Sequence, residues 1–195
     1  MMKARPLWAV LAGSIAVVIV ACSSPADRVT HENLTIQEIM RDEVDANAHA
    51  LWTVTNPAID DQVGIDPEKM TEARWAQMEK HANAMKQGAL AIARMDPPVV
   101  ANPGQDISDA NIEGGYSTAQ VQAAVDQNPQ GLREAARSFA IYAALLSAAA
   151  YARDARAAGP LIDGLNSQCE TCHLEFWYPS QRAQLEQTAA VSQDI

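Results

Sequence analysis

Between Asn128 and Gly159 the apolar residues of this chain recur at steps that alternate between three and four: Leu132, Ala135, Phe139, Tyr142, Leu146 and Ala149. That period lets one helix present a continuous apolar seam to its neighbours, as in bundle packing. Asn128 offers a capping oxygen and Pro129 suits the first helical position. Gly159 is expected to stop this helix, and Pro160 to open another that carries Leu161, Leu165, Cys169, Cys172 and Phe176 along one face. Nearer the N-terminus, Thr35 and Glu38 form a capping box ahead of a face built from Ile36, Met40, Val44, Ala48 and Leu51. Asp66 and Pro67 are expected to begin the second helix, whose stripe runs Trp75, Met78, Ala82, Met85, Ala89 and Ile92 before "DPP" at Asp96–Pro98 ends it. No alternating β-branched run, hairpin turn or internal repeat competes with these signals. The expected fold is therefore all-α: an antiparallel up-down-up-down four-helix bundle over residues 34–195. A long loop, 96–127, joins helices two and three and contains a short capped helix at "STAQVQAAVDQ". Long loops in compact domains are usually functional or disordered.

The chemistry is concentrated in "CETCH", Cys169 to His173. A zinc site needs about four ligands, and neighbouring Cys172 and His173 are poorly spaced to share a tetrahedral ion, with no second cysteine pair to help. A thioredoxin-like disulfide needs a βαβ context, which the chain lacks. Covalent haem satisfies every constraint, with Cys169 and Cys172 as thioether attachments and His173 as an axial ligand. Spacings of three and four bring all three side chains to one side of a single helix.

The N-terminus agrees with that chemistry, because bacterial c-type haem is attached outside the cytoplasm. Lys3 and Arg5 precede an apolar run, the pattern of an export signal over residues 1–21. The run is too short to need a transmembrane reading. "IVAC" ends in Cys22, a lipobox-like cysteine expected to carry lipid, followed by a polar tether over 22–33. Ser23 is not the aspartate that retains lipoproteins at the inner membrane, so the expected location is the periplasmic side of the outer membrane. Lipid on Cys22 accounts for the odd one of the three cysteines. Loss of the leader takes two basic residues and no acidic ones, moving the formal charge from −10 to −12. Such a chain suits a basic protein partner and not a nucleic acid.

One CxxCH on the last helix of a four-helix bundle resembles the cytochrome c′ family and its methionine-ligated low-spin relatives. The resemblance covers roughly Ile36 to Pro179 and is strongest at "CETCH" and "IQEIM". The aromatic "FWYP" stands where cytochromes c′ often carry a basic residue. In an up-down-up-down bundle the end of helix four lies beside the start of helix one, so position makes Met40 a candidate sixth ligand; core packing is the alternative. His49 is about 14 Å further along helix one. Met78 and His81 are roughly 20 Å or more from the relevant end of helix two by the same rise. Met70 is at the far end, and His31 and Met95 are outside candidates. The resemblance to first-helix methionine ligands implies the ligand role for Met40, and with it a low-spin iron of raised potential.

The function expected from these readings is one-electron transfer by a monohaem cytochrome, not an enzyme, since no substrate pocket with an acid–base pair is evident. The competing class is a gas-binding haem protein for NO or CO, with an open or displaceable distal site. A subunit of a larger membrane assembly is a third. The loop at 96–127 is expected at the haem end, and Arg133 and Arg137 are candidates for pairing with haem propionates. Trp177 and Tyr178 are expected to cap the core. The resemblance also leaves a homodimer open.

Overall fold

The computed structural model describes residues 31, 33–60, 64–108, 110 and 112–182. The expected leader, the lipidation site Cys22 and the start of the tether lie outside the described residues. The protein is mostly helical, with one small two-stranded pairing.

The first helix, α1 (Ile36–Ile39), begins at the Thr35 capping box. Its early backbone donors are all satisfied. Ile36 and Gln37 donate to the carbonyls of Val99 and Val100 at 2.8 and 2.9 Å. Glu38 donates to the Thr35 hydroxyl at 3.3 Å. Without a break α1 passes into a π-helical segment, Met40–Asp45, and continues as α2 (Ala46–Thr55). Ile36, Ile39, Val44, Ala48 and Leu51 of this arm are buried. A short antiparallel pair follows, β1 (Ile59–Asp60) and β2 (Gly64–Ile65), with Ile59 opposite Ile65. Two residues per strand are too few to leave an alternating pattern in a sequence.

The second long helix, α3 (Glu72–Arg94), starts later than Asp66 and Pro67 suggest. Asp66 does cap, but only a single 3-10 turn over Pro67–Lys69. Met70 then turns extended and buries its side chain, which forces a break. Thr71 becomes the working N-cap, accepting from the Arg74 amide at 3.2 Å.

From Met95 to Tyr116 the described chain carries no helix or strand. α4 (Thr118–Gln127) begins at a Ser117–Gln120 capping box and buries Val121 and Val125. α5 (Pro129–Tyr151) starts where the sequence indicates, with the Asn128 side chain accepting from the Gly131 amide at 3.0 Å.

The third long helix ends before Gly159. Arg153 adopts a left-handed φ of 54°. Its amide donates to Ala150 at 3.0 Å and that of Asp154 to Ala149 at 2.9 Å, the paired bonds of a Schellman C-cap. Asp154 also caps α6 (Ala155–Asp163), so Gly159 and Pro160 lie inside that helix and not at its boundary. Gly159 is buried beside β2, where a Cβ would make only ordinary contact, 3.5 Å from the Ile65 amide nitrogen. After Gly164 the chain forms α7 (Leu165–Cys172) and a second π-helical segment, His173–Trp177.

α3 runs along α5, α2 packs on α3, and α5 packs on α6 and α7. Leu51, Met78, Met85, Leu146, Leu165 and Phe176 are fully buried among them. Each such side chain contributes about 1.5–3 kcal/mol over its exposed state. Phe176 thereby ties the end of the cysteine-bearing helix to the core. Gly88 lets the first π segment approach α3 closely, where a Cβ would meet Val44, Glu43 and Ile39. No helix among the described residues is long and apolar enough to cross a membrane.

Candidate functional site

A cavity of about 350 Å³ lies among the first arm, α3, α5 and the cysteine-bearing helix. That volume falls within the range of small-molecule sites. Apolar side chains form most of its wall, including Ile36, Val44, Ile92, Leu132 and Phe139. Met40, Cys169, Cys172 and His173 all line it. The two π-helical segments begin at Met40 and at His173. A π turn closes i→i+5 bonds, which widens the helix and shifts the face of the side chains that follow; such turns concentrate at functional sites.

Cys169 and Cys172 are free thiols, each partly buried. Burial pushes the Cys169 thiol up to about 11, with the Asp45 and Glu170 carboxylates adding to the effect. Cys172 is likewise pushed up to about 11, by burial first and then by Glu175 and Cys169. Both are neutral thiols at pH 7. A nucleophilic or disulfide-exchanging cysteine needs the opposite shift. Among the described residues no three His, Cys, Asp or Glu side chains converge as a metal-holding group, so a zinc cluster has no set of ligands here.

The His173 ring is flanked by two aromatic rings. Trp177 lies 6.2 Å away, tilted by 52°, and Tyr178 lies 5.9 Å away, edge-on at 86°. The Tyr178 amide also donates to the His173 carbonyl at 2.7 Å. Trp177 and Tyr178 both line the cavity, so they do more than cover the core: they bound the volume in which the imidazole turns.

The other sulfur and imidazole candidates lie elsewhere. His31 meets the Glu43 carboxylate at 2.8 Å. His49 is exposed beside Asp45, at 3.5 Å, and stacks edge-on with Trp52. His81 meets Asn47 at 2.8 Å, and burial lowers its pKa, with Lys80 adding to the effect. Met70 and Met78 are core residues. None of these, nor Met95, lines the cavity.

Arg133 and Arg137 do not line it either. The Arg133 guanidinium is committed to the Met95 carbonyl, at 3.0 and 3.1 Å, and to Asp96 at 2.8 Å. The guanidinium on the cavity wall is that of Arg41, an exposed residue also paired with Asp42 at 2.6 Å. Gln37, one turn ahead, donates through Nε2 to the Asp106 carbonyl at 2.7 Å. Its Oε1 is buried and has no partner among the described residues, an acceptor that a donor inside the cavity would satisfy. Sequence reasoning missed Gln37 and Arg41. Spacing was the available signal: Gln37 is three before Met40 and Arg41 is four after Gln37, and helical neighbours three and four apart share a face.

This donor set fits a covalently held haem. Two thiols and an imidazole come from one helix and a thioether from another, Arg41, though paired with Asp42, stands on the wall, and most of the lining is apolar, with Asp45 and Gln168 among its polar members. Compared with protein-family models, curated proteins and solved structures, the chain matches none.

Proposed function

We propose that this chain is a lipid-anchored monohaem c-type cytochrome that transfers one electron on the periplasmic side of a bacterial membrane. What supports the reading above all is that Met40 and the Cys169–Cys172–His173 group, distant in sequence, line the same apolar cavity. Cys169 and Cys172 would hold the haem through thioether bonds, and His173 and Met40 would bind its iron. When bound, the haem supplies a one-electron Fe(III)/Fe(II) couple.

The remaining work belongs to the protein. Trp177 and Tyr178 restrict the His173 ring, the apolar wall keeps water from the ligands, and Arg41 supplies positive charge for the haem carboxylates. The finer fold we read is an antiparallel four-helix bundle of the cytochrome c′ type, supported by the packing of consecutive helical arms on one another. Lipidation at Cys22 and export of the chain rest on the sequence alone, as does a basic redox partner.

The test is the optical spectrum of the purified protein, oxidised and reduced, with and without CO, beside Met40→Ala. A low-spin spectrum that ignores CO and becomes high-spin on substitution is expected. A high-spin spectrum that takes up CO readily and is indifferent to the substitution would replace electron transfer with gas binding. Absence of haem that survives denaturation would remove the cytochrome reading altogether.

A further inference from the structure

The stretch from Pro97 to Ser108 contains no helix or strand, yet its backbone is tied at several points to α1 and α4. Its Val99 and Val100 carbonyls receive the first two amides of α1. Gln122 of α4 reads it from the other side, accepting from the Val100 amide at 2.8 Å and donating to the Pro98 carbonyl at 3.1 Å. Further along, Gln37 holds the Asp106 carbonyl at 2.7 Å, and the Thr118 hydroxyl accepts from the Ile107 amide at 3.0 Å. Val100 is fully buried and Ile107 is 6% exposed. Segments that open locally have few buried apolar contacts and solvent-exposed backbone bonds; here residues 102–106 and the Gln37–Asp106 bond are exposed, and the hold comes from the buried Pro98, Val100 and Ile107. Ile107 and Ser108 line the same cavity as Met40.

We propose that Pro97–Ser108 is a fixed wall of the cavity, that Ile107 denies small diatomic ligands access beside Met40, and that Gln37 and Thr118 are positioning residues that hold Ile107 there. The inference rests on the proposed function for what the wall protects, but not for its existence. The peptide group between Asp106 and Ile107 is gripped from both sides, its carbonyl by Gln37 of α1 and its amide by Thr118 of α4. With its preceding peptide held at both polar atoms and its side chain buried, moving the Ile107 backbone away from the cavity would break both bonds.

The experiment uses Ile107→Ala, which removes the wall, and Thr118→Val, which removes one grip from a residue outside the cavity lining. Hydrogen exchange of peptides covering residues 97–108 is read first. Loss of one backbone-to-side-chain hydrogen bond corresponds to about a tenfold rise in local opening, and Thr118→Val is expected to speed exchange by that factor. Protein isolated with haem is then compared in a Met40→Ala background, where no thioether competes, and CO association is expected to be about tenfold faster with either wall variant. Protein isolated without haem is instead titrated with a small alkylating reagent, and Cys169 and Cys172 are expected to react faster by a similar factor. Unchanged exchange and unchanged access in both variants would overturn the wall. Faster access together with a haem-free native protein would keep the wall and sink the cytochrome reading, so the two failures are distinct.

Discussion

Gly88→Ala adds one methyl group between α3 and the π segment that carries Met40. The new Cβ would stand 3.1 Å from Val44 Cγ2, 3.2 Å from Glu43 Cβ and 3.3 Å from Ile39 Cγ2. Carbon atoms at rest lie about 3.5–4.0 Å apart, so all three neighbours must withdraw by a few tenths of an ångström. Ile39 is fully buried and does not line the cavity, while Val44, also buried, could withdraw only towards the cavity it lines. Overpacking of this kind costs about 1–3 kcal/mol. Alanine in a helix interior returns about 0.5–1 kcal/mol relative to glycine. The expected balance is a loss of about 0.5–2 kcal/mol. With a urea m-value of about 2 kcal/mol/M, the midpoint should fall by roughly 0.3–1 M while m stays constant. Circular dichroism through a urea series measures this whether or not haem is attached. In haem-loaded protein the same strain should weaken ligation by Met40, seen as a rising high-spin fraction. A midpoint that stays put or rises would show that the π segment retreats freely, and that Gly88 does not set its distance from α3.

Gly164→Ala places a methyl 2.6 Å from the Tyr142 hydroxyl oxygen, which donates to the Leu161 carbonyl. Displacing that hydroxyl is expected to cost about 1–3 kcal/mol, and Tyr142→Phe in the same background should recover part of it in urea melts. The alkaline limb of stability offers a test of the thiols. Cys169 and Cys172 rise in the folded chain from an ordinary 9.0 to about 11. In haem-free chain their contribution is therefore whole below pH 9 and is lost as pH climbs towards 11, because the unfolded thiols ionise first. At 1.36 kcal/mol per pH unit each thiol contributes at most about 3 kcal/mol. A Cys169→Ala/Cys172→Ala chain should lack that slope; an equal slope in both would refute the burial argument.

Several local features were legible in the sequence because they close within a few residues. The capping boxes at Thr35 and Ser117 and the Asn128 cap each need one side chain and an amide two or three residues on. The grouping of Cys169, Cys172 and His173 was legible for the same reason: spacing along a helix decides which side chains share a face. Met40 could be singled out because length and rise place it at one end of its helix.

Tertiary packing decided where competing local signals gave way. Asp66 and Pro67 announce a helix, but burial of Met70 postpones it to Thr71. Gly159 and Pro160 announce a boundary, yet a left-handed Arg153 ends α5 earlier and Asp154 caps a helix that runs through both. The π registers at Met40 and His173, the Arg41 and Gln37 side chains on the cavity wall, and the path of Pro97–Ser108 across α1 and α4 have no counterpart in periodicity. They depend on which surfaces meet, and an amide such as that of Gln37 finds the Val100 carbonyl only after the chain has folded between them. The sequence by itself determined much of the helices' cores, most of their caps and the grouping of Cys169, Cys172 and His173. Only the tertiary structure decided which of those residues share a cavity and what encloses it, because burial and long-range hydrogen bonds are properties of contact and not of spacing.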